Sequence, residues 1–231
     1  MGAMTANARL VWIAVFGIAF GWLEAAVVVY LRRILYPDGF ALPLSPIDPQ
    51  LAAVELAREA ATVVMLAAVA GLAGRTRWQR FAAFLVGFGV WDVAYYLGLK
   101  LALDWPASLA DWDVLFLVPW PWLGPVYAPV AVAILMIGSG IAVFRREERR
   151  PCRADRWSWL LGAGGALVLL WTWLRDLDAS LRGALPQPYP LGAFVAGLAL
   201  LSGCAARFLR GSRRERPLGA AGRPGRPPAK P

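Results

Sequence analysis

Six runs of roughly 20 apolar residues constrain this chain more than any motif does, because a hydrocarbon core about 30 Å thick is crossed by that length of helix. They cover approximately 10–31, 51–73, 81–103, 124–144, 157–174 and 191–208, each bounded by charge or by Pro and Gly clusters. In lipid the backbone must satisfy its own hydrogen bonds, and the runs lack the two-residue alternation of a barrel strand, so each is expected to be helix. The expected fold is all-α: a polytopic transmembrane helical bundle of six spans, one domain over residues 1–210. A content of 59% hydrophobic residues exceeds what a soluble core of 231 residues needs, which excludes the globular alternative.

The basic residues orient the bundle. Arg9, the Arg75/Arg77/Arg80 loop, the RREERRPCRADR loop and the tail from Arg207 hold 18 of the 24 Lys and Arg. Arg32, Arg33, Lys100, Arg175 and Arg182 fall on the other side, and Arg58 lies within a span. Cytoplasmic loops retain positive charge, so both termini are expected in the cytoplasm. The net charge of +9 then follows from topology and attraction to anionic lipid, and nucleic acid is not expected as a partner. The segment 211–231, rich in Arg, Pro, Gly and Ala, cannot bury a core and is expected to be disordered. The first run follows Arg9 as a signal peptide would, but it continues past Glu24 toward Tyr36 without a small-residue cleavage site and is read as retained. Cys152 and Cys204 both fall on the reducing side, so no disulfide is expected.

The chain has no histidine. That removes His-ligated haem, HExxH zinc sites and Ser/His or Cys/His nucleophile pairs. The Gly-Ser-Gly at 138–140 is read as a packing face rather than a serine motif. Aspartate-rich prenyltransferase motifs and Gly-rich phosphate loops are missing too, so no catalytic residue and no cofactor is assigned.

What stands out is charge inside the spans. In VELAREAATVVML, Glu55, Arg58, Glu59 and Thr62 recur at i, i+3, i+4 and i+7, which is one helix face. An ionisable residue near the bilayer centre costs about 2.5 to 3.5 kcal/mol, so this face should meet other helices or water. At 1.5 Å per residue from the inner ends, Glu24, Arg58, Glu59, Tyr95 and Tyr96 rise about 21 to 22 Å and Asp92 about 16 Å, placing them in one layer of the outer half. Gly17 and Gly21 form a GxxxG pair with Glu24 three residues on, so the small face of the first span also carries the carboxylate. Asp92, Tyr96 and Lys100 recur at i+4 and suggest a polar path toward the outer surface. Four acids, Glu24, Glu55, Glu59 and Asp92, face the single base Arg58, and that excess must be relieved by protonation, by water or by a hard cation. Glu55, nearest the outer end, is expected to be hydrated. A purely structural reading has Arg58 pairing with one or two acids and locking helices together.

Above this layer, DWPASLADWDVLFLVPWPWLGPVYAP at 104–129 is dense in Trp and Pro. Pro119, Pro121, Pro125 and Pro129 argue against continuous helix until the fourth span is under way. Trp105, Trp112, Trp120 and Trp122 suit an interfacial belt, and the segment could cap the acidic layer as a re-entrant or interfacial piece. Asp111 and Asp113, with Asp176 and Asp178 of the last outer loop, could bring carboxylates toward one cation; solvated loop acids are the alternative. Helices four to six carry no midplane charge and read as scaffold. No three-plus-three repeat is visible, which weighs against an inverted-repeat transporter.

GWLEAAVVVYLRR, LAREAATVVMLAAVAGLAG and FGVWDVAYYLGLK, with the Trp-Pro segment after them, resemble bacterial small polytopic membrane proteins without assigned function. The resemblance spans roughly the first 145 residues and implies a bacterial inner-membrane location, but no activity and no functional residue. Three functions stay open. A proton, cation or small solute could move through an outward-facing acidic cavity between helices one to three, with Glu24, Glu59 and Asp92 exchanging it, Arg58 tuning them or holding an anionic group, and Tyr95 and Tyr96 orienting water. The chain could instead be an accessory subunit whose buried charges fix assembly with itself or a partner membrane protein. Or it could be an enzyme on a lipid or isoprenoid carrier, with a carboxylate as base and Arg58 on phosphate.

Overall fold

A computed structural model describes residues 4–37, 39–40, 47–117, 120–178 and 187–211. Arg182, Pro119 and the tail from 212 onward lie outside the described residues. Among those described, six helices are long and apolar enough to cross a membrane: α1 (Ala6–Leu35), α2 (Pro49–Ala73), α3 (Arg77–Leu103), α4 (Tyr127–Arg149), α5 (Arg156–Leu174) and α6 (Leu191–Gly211). The chain is therefore built as a multi-pass membrane bundle. Side-chain caps set several starts: Thr5 accepts from the Ala8 amide, Asp48 from Gln50 and Leu51 with Pro49 in the first turn, Thr76 from Gln79, and Asp155 from Ser158.

The fourth span starts later than its apolar run suggests. Gly124 and Pro125 belong to a two-stranded antiparallel hairpin, β1 (Trp112–Phe116) and β2 (Trp122–Pro125), with Asp113 opposite Gly124 and Val114 opposite Leu123. Pro121 stands just before β2, and Pro129 is confined to the first turn of α4, where its missing N–H costs nothing. The tryptophans of this segment make specific contacts. Trp105 covers the Arg32 guanidinium, Trp122 stacks on Trp173 at 5.5 Å and 19°, and Trp112 meets the edge of Tyr189; Trp120 is exposed.

α3 is the hub, packed along α1 and α4 and more loosely along α2. Contact with α1 is close because of glycine: a Cβ at Gly21 would sit 2.5 Å from the Trp91 carbonyl oxygen and 2.7 Å from the Ala94 methyl. Gly21→Leu is therefore expected to cost about 1 to 3 kcal/mol through overpacking against backbone that cannot yield, measured by unfolding in detergent. Gly140 does the same for α3 against α4, where a Cβ would meet Ala82 O at 2.8 Å, in keeping with the packing role expected of the Gly-Ser-Gly stretch. α5 and α6 pair with each other and reach the rest chiefly along α4 and the second strand.

The end at which α1 begins is tied by charges that looked merely topological. Arg9 is buried; it donates to the Ala73 carbonyl at 2.7 Å and pairs with Glu148, which also accepts from Gln79 Nε2 at 3.0 Å. Glu147 accepts from Thr76 and from the Cys152 amide.

Candidate functional site

At the opposite end, α1, α2, α3 and the hairpin enclose a cavity of about 380 Å³. Its wall carries Glu24 and Arg32 from α1, Glu55, Arg58 and Glu59 from α2, Asp92 and Tyr95 from α3, and Asp113 from β1, among apolar and aromatic side chains. The acidic layer expected between helices one to three is thus assembled, with the hairpin as its cap. Five carboxylates face two guanidinium groups, an excess of three acids over bases.

The α2 face is stitched to α1. Arg58 donates through Nε to Glu55 Oε2 at 2.8 Å, holds the same oxygen through Nη2 at 2.7 Å, and gives Nη1 to Glu24. The Thr62 hydroxyl lies 3.3 Å from the other Glu24 oxygen and 3.1 Å from the Arg58 carbonyl. Glu55, near the outer end of its span, is 4% exposed and is held by Arg58 one turn on. Arg58, expected either to tune the acids or to hold an anionic group, is engaged with the acids on all three nitrogens. Glu59 reaches upward instead and accepts from the Leu117 amide at 2.7 Å, fastening the hairpin to α2.

Arg32, expected just beyond the first span on the outer side, lies in the last turn of α1 and supplies a second base. It is buried, donates to Asp113 Oδ1 at 2.8 Å, and lies between the rings of Trp105 (3.7 Å) and Phe40 (4.4 Å). The signal was present in the helix period, since Glu24, Val28 and Arg32 recur at i+4 and all three line the cavity. Asp113 also accepts from the Tyr96 hydroxyl at 3.3 Å. Burial pushes its carboxyl up to about 6, against the pull of Arg32, of the Val114 amide and of Tyr96. The folded chain therefore holds this proton more tightly than the unfolded one. Asp113 favours the fold most below its ordinary pKa of about 3.9, and that contribution is lost as the pH rises through about 6. Asp113→Asn is expected to flatten this part of the melting temperature against pH curve, between about pH 4 and 6.

Asp92 differs from the other acids. It is 8% exposed, lines the cavity, and among the described residues its Oδ2 has no hydrogen-bond partner. The indole N–H of Trp91 and Nη1 of Arg32, from two more lining residues, are likewise unpartnered. Tyr95 stacks on Trp91 at 6.5 Å beside it.

The remaining expected residues do not join this group. Lys100 faces the loop after α3, donating to the Asp104 and Pro106 carbonyls at 3.2 and 3.0 Å and pairing with exposed Asp104, so the Asp92, Tyr96 and Lys100 series is not a lined path. Asp111 braces its own turn by accepting from Ala107 and Ser108. Asp176 is buried beside Arg175, Asp178 is exposed, and neither lines the cavity. The four loop aspartates therefore do not converge. Among the described residues no group of three or more His, Cys, Asp or Glu is arranged to hold a metal ion.

The fold and this cavity define a multi-pass membrane protein with a buried, acid-rich chamber at one end. Comparison with protein-family models, with curated proteins and with solved structures finds no match.

Proposed function

We propose that the protein exchanges protons against a small organic cation through the chamber between α1, α2, α3 and the hairpin. The observation that carries this reading is Asp92, a buried carboxylate on the chamber wall with an oxygen left without a partner, where the other chamber acids have theirs. Retaining an unpartnered acid at membrane depth costs stability, and such residues mark ion and substrate pathways. The chamber volume of about 380 Å³ falls within the range of small-molecule sites, roughly 300 to 1,000 Å³. Trp91, Tyr95 and Phe116 supply aromatic faces that suit an organic cation. A hard metal cation finds no comparable set of ligands among the described residues. The excess of Lys and Arg on the side of the chain termini supports cytoplasmic termini and a chamber that opens outward, and the sequence resemblance supports a bacterial inner membrane.

The test is flux in proteoliposomes. An imposed tetraethylammonium gradient should drive protons the other way, read by a trapped pH dye, faster than in protein-free vesicles. Proton movement that ignores both the protein and the organic cation would sink the proposal.

A second reading has support in the ion pairs themselves. Arg58 with Glu24 and Glu55, and Arg32 with Asp113, fasten α1, α2 and the hairpin, as an accessory subunit that builds an assembly surface would require. Under that reading every chamber acid is structural, and replacing Asp92 destabilises as much as replacing Glu24. Chemistry on a lipid phosphate is not proposed, because Arg58, its expected anchor, is already held by two carboxylates.

A further inference from the structure

A second cavity, of about 1060 Å³, lies at the other end of the bundle in the seam between the α3/α4 and α5/α6 helix pairs. Its walls are apolar: Phe81 and Leu85 of α3, Val132 and Met136 of α4, Ala166 of α5 and Leu201 of α6 are representative. Among the described residues the buried Trp78 indole N–H has no hydrogen-bond partner, and three other polar groups are engaged. The Ser139 hydroxyl donates to the Leu135 carbonyl at 2.7 Å, the Ser158 hydroxyl to Asp155 at 2.8 Å, and the Cys204 thiol lies 3.1 Å from the Ser158 carbonyl. Such a seam, with so few polar groups along its walls, favours hydrocarbon over water.

Charge and depth identify the occupant. Arg77 and Arg153, both exposed, line the mouth where α3 and α5 begin. Of the nearby acids, Asp155 pairs with Arg207, and Glu147 accepts from Thr76 and the Cys152 amide. From that mouth the seam extends from Arg77 to Leu85 on α3, from Val143 to Val132 on α4 and from Ser158 to Ala166 on α5. At 1.5 Å per residue that is about 12 to 16 Å, the depth of one leaflet in a hydrocarbon core about 30 Å thick. We infer that this seam is a binding site for an anionic glycerophospholipid of the leaflet nearest the chain termini, its phosphate between Arg77 and Arg153 and an acyl chain between the two helix pairs. The site is independent of the acidic chamber.

The test titrates the full chain in non-ionic detergent with phosphatidylglycerol or phosphatidylcholine whose acyl chains are brominated, reading quenching of tryptophan fluorescence. Trp78 and Trp159 line the seam and report its occupation, and Trp78→Phe with Trp159→Phe removes their share of the signal. Saturable quenching by phosphatidylglycerol is expected at roughly thirtyfold lower concentration than by phosphatidylcholine, the effect of two arginines at an anionic headgroup. Arg77→Gln with Arg153→Gln should erase that preference, and because both side chains are exposed the fold should survive. Ala166→Phe with Ala205→Phe, filling the seam, should abolish saturable quenching by either lipid. Equal affinity for the two lipids, or quenching indifferent to the filled seam, would overturn the inference. So would a wild-type dimer that Ala166→Phe converts to monomer, since the seam would then belong to a second copy.

Discussion

Arg58→Met is expected to cost about 3 to 5 kcal/mol of stability at neutral pH, measured by unfolding of the detergent-solubilised protein. The reason is what the arginine leaves behind. Glu24 and Glu55 are 7% and 4% exposed, they belong to different helices, and both direct an oxygen at this guanidinium. Without it two carboxylates share a poorly hydrated space with Glu59 nearby and no countercharge from α2. α1 and α2 touch little otherwise, so the ion pair is a main link between them. Arg207→Met provides the contrast: its pair with Asp155 lies at the surface, with side chains 45% and 47% exposed, and is worth about 0 to 1 kcal/mol. Adding Glu24→Gln to Arg58→Met should recover part of the loss, because it removes one of the stranded charges. A variant as stable as wild type would show that the pair does not lock the helices.

The membrane spans were legible because their signal is length. An apolar run must be long enough to cross, and charge or proline ends it, so the six runs locate α1 to α6 with few errors. One error, the start of the fourth span, comes from the same source: Gly124, Pro125 and Val126 extend an apolar run that the fold divides between strand and helix. Hydropathy cannot tell a short buried strand from the start of a helix. The α2 charge stripe was legible from its period, and depth arithmetic brought it to Glu24 and Asp92 because helices rise uniformly. Arg32 was misplaced because two adjacent arginines at a helix end look like interfacial anchors. The i+4 period from Glu24 through Val28 to Arg32 marked which of the two turns inward, and the hairpin, which brings Asp113 over α1, supplies its partner. Arg9 was hidden likewise, since a basic residue near the start of a span has a sufficient topological explanation and nothing local points to Glu148, 139 positions away.

Asp92→Asn is expected to separate stability from transport. Among the described residues Asp92 makes no ion pair and its buried oxygen has no donor, so an amide of nearly the same shape breaks no bond seen to hold the bundle. Stability should equal or exceed that of wild type, as when a costly polar group is retained for function. Exchange of protons against tetraethylammonium should meanwhile fall roughly tenfold or more, because a neutral amide neither releases a proton nor draws a cation into the chamber. The comparison is with Glu59→Gln, which keeps an oxygen for the Leu117 amide but removes the charge from the link between α2 and the hairpin. If Asp92→Asn lowers stability as Arg58→Met does, all the chamber charges form one structural network and the accessory-subunit reading gains. If it leaves both stability and exchange untouched, Asp92 is not the exchanging acid. The combination of intact fold and lost exchange is the one that only a functional carboxylate produces.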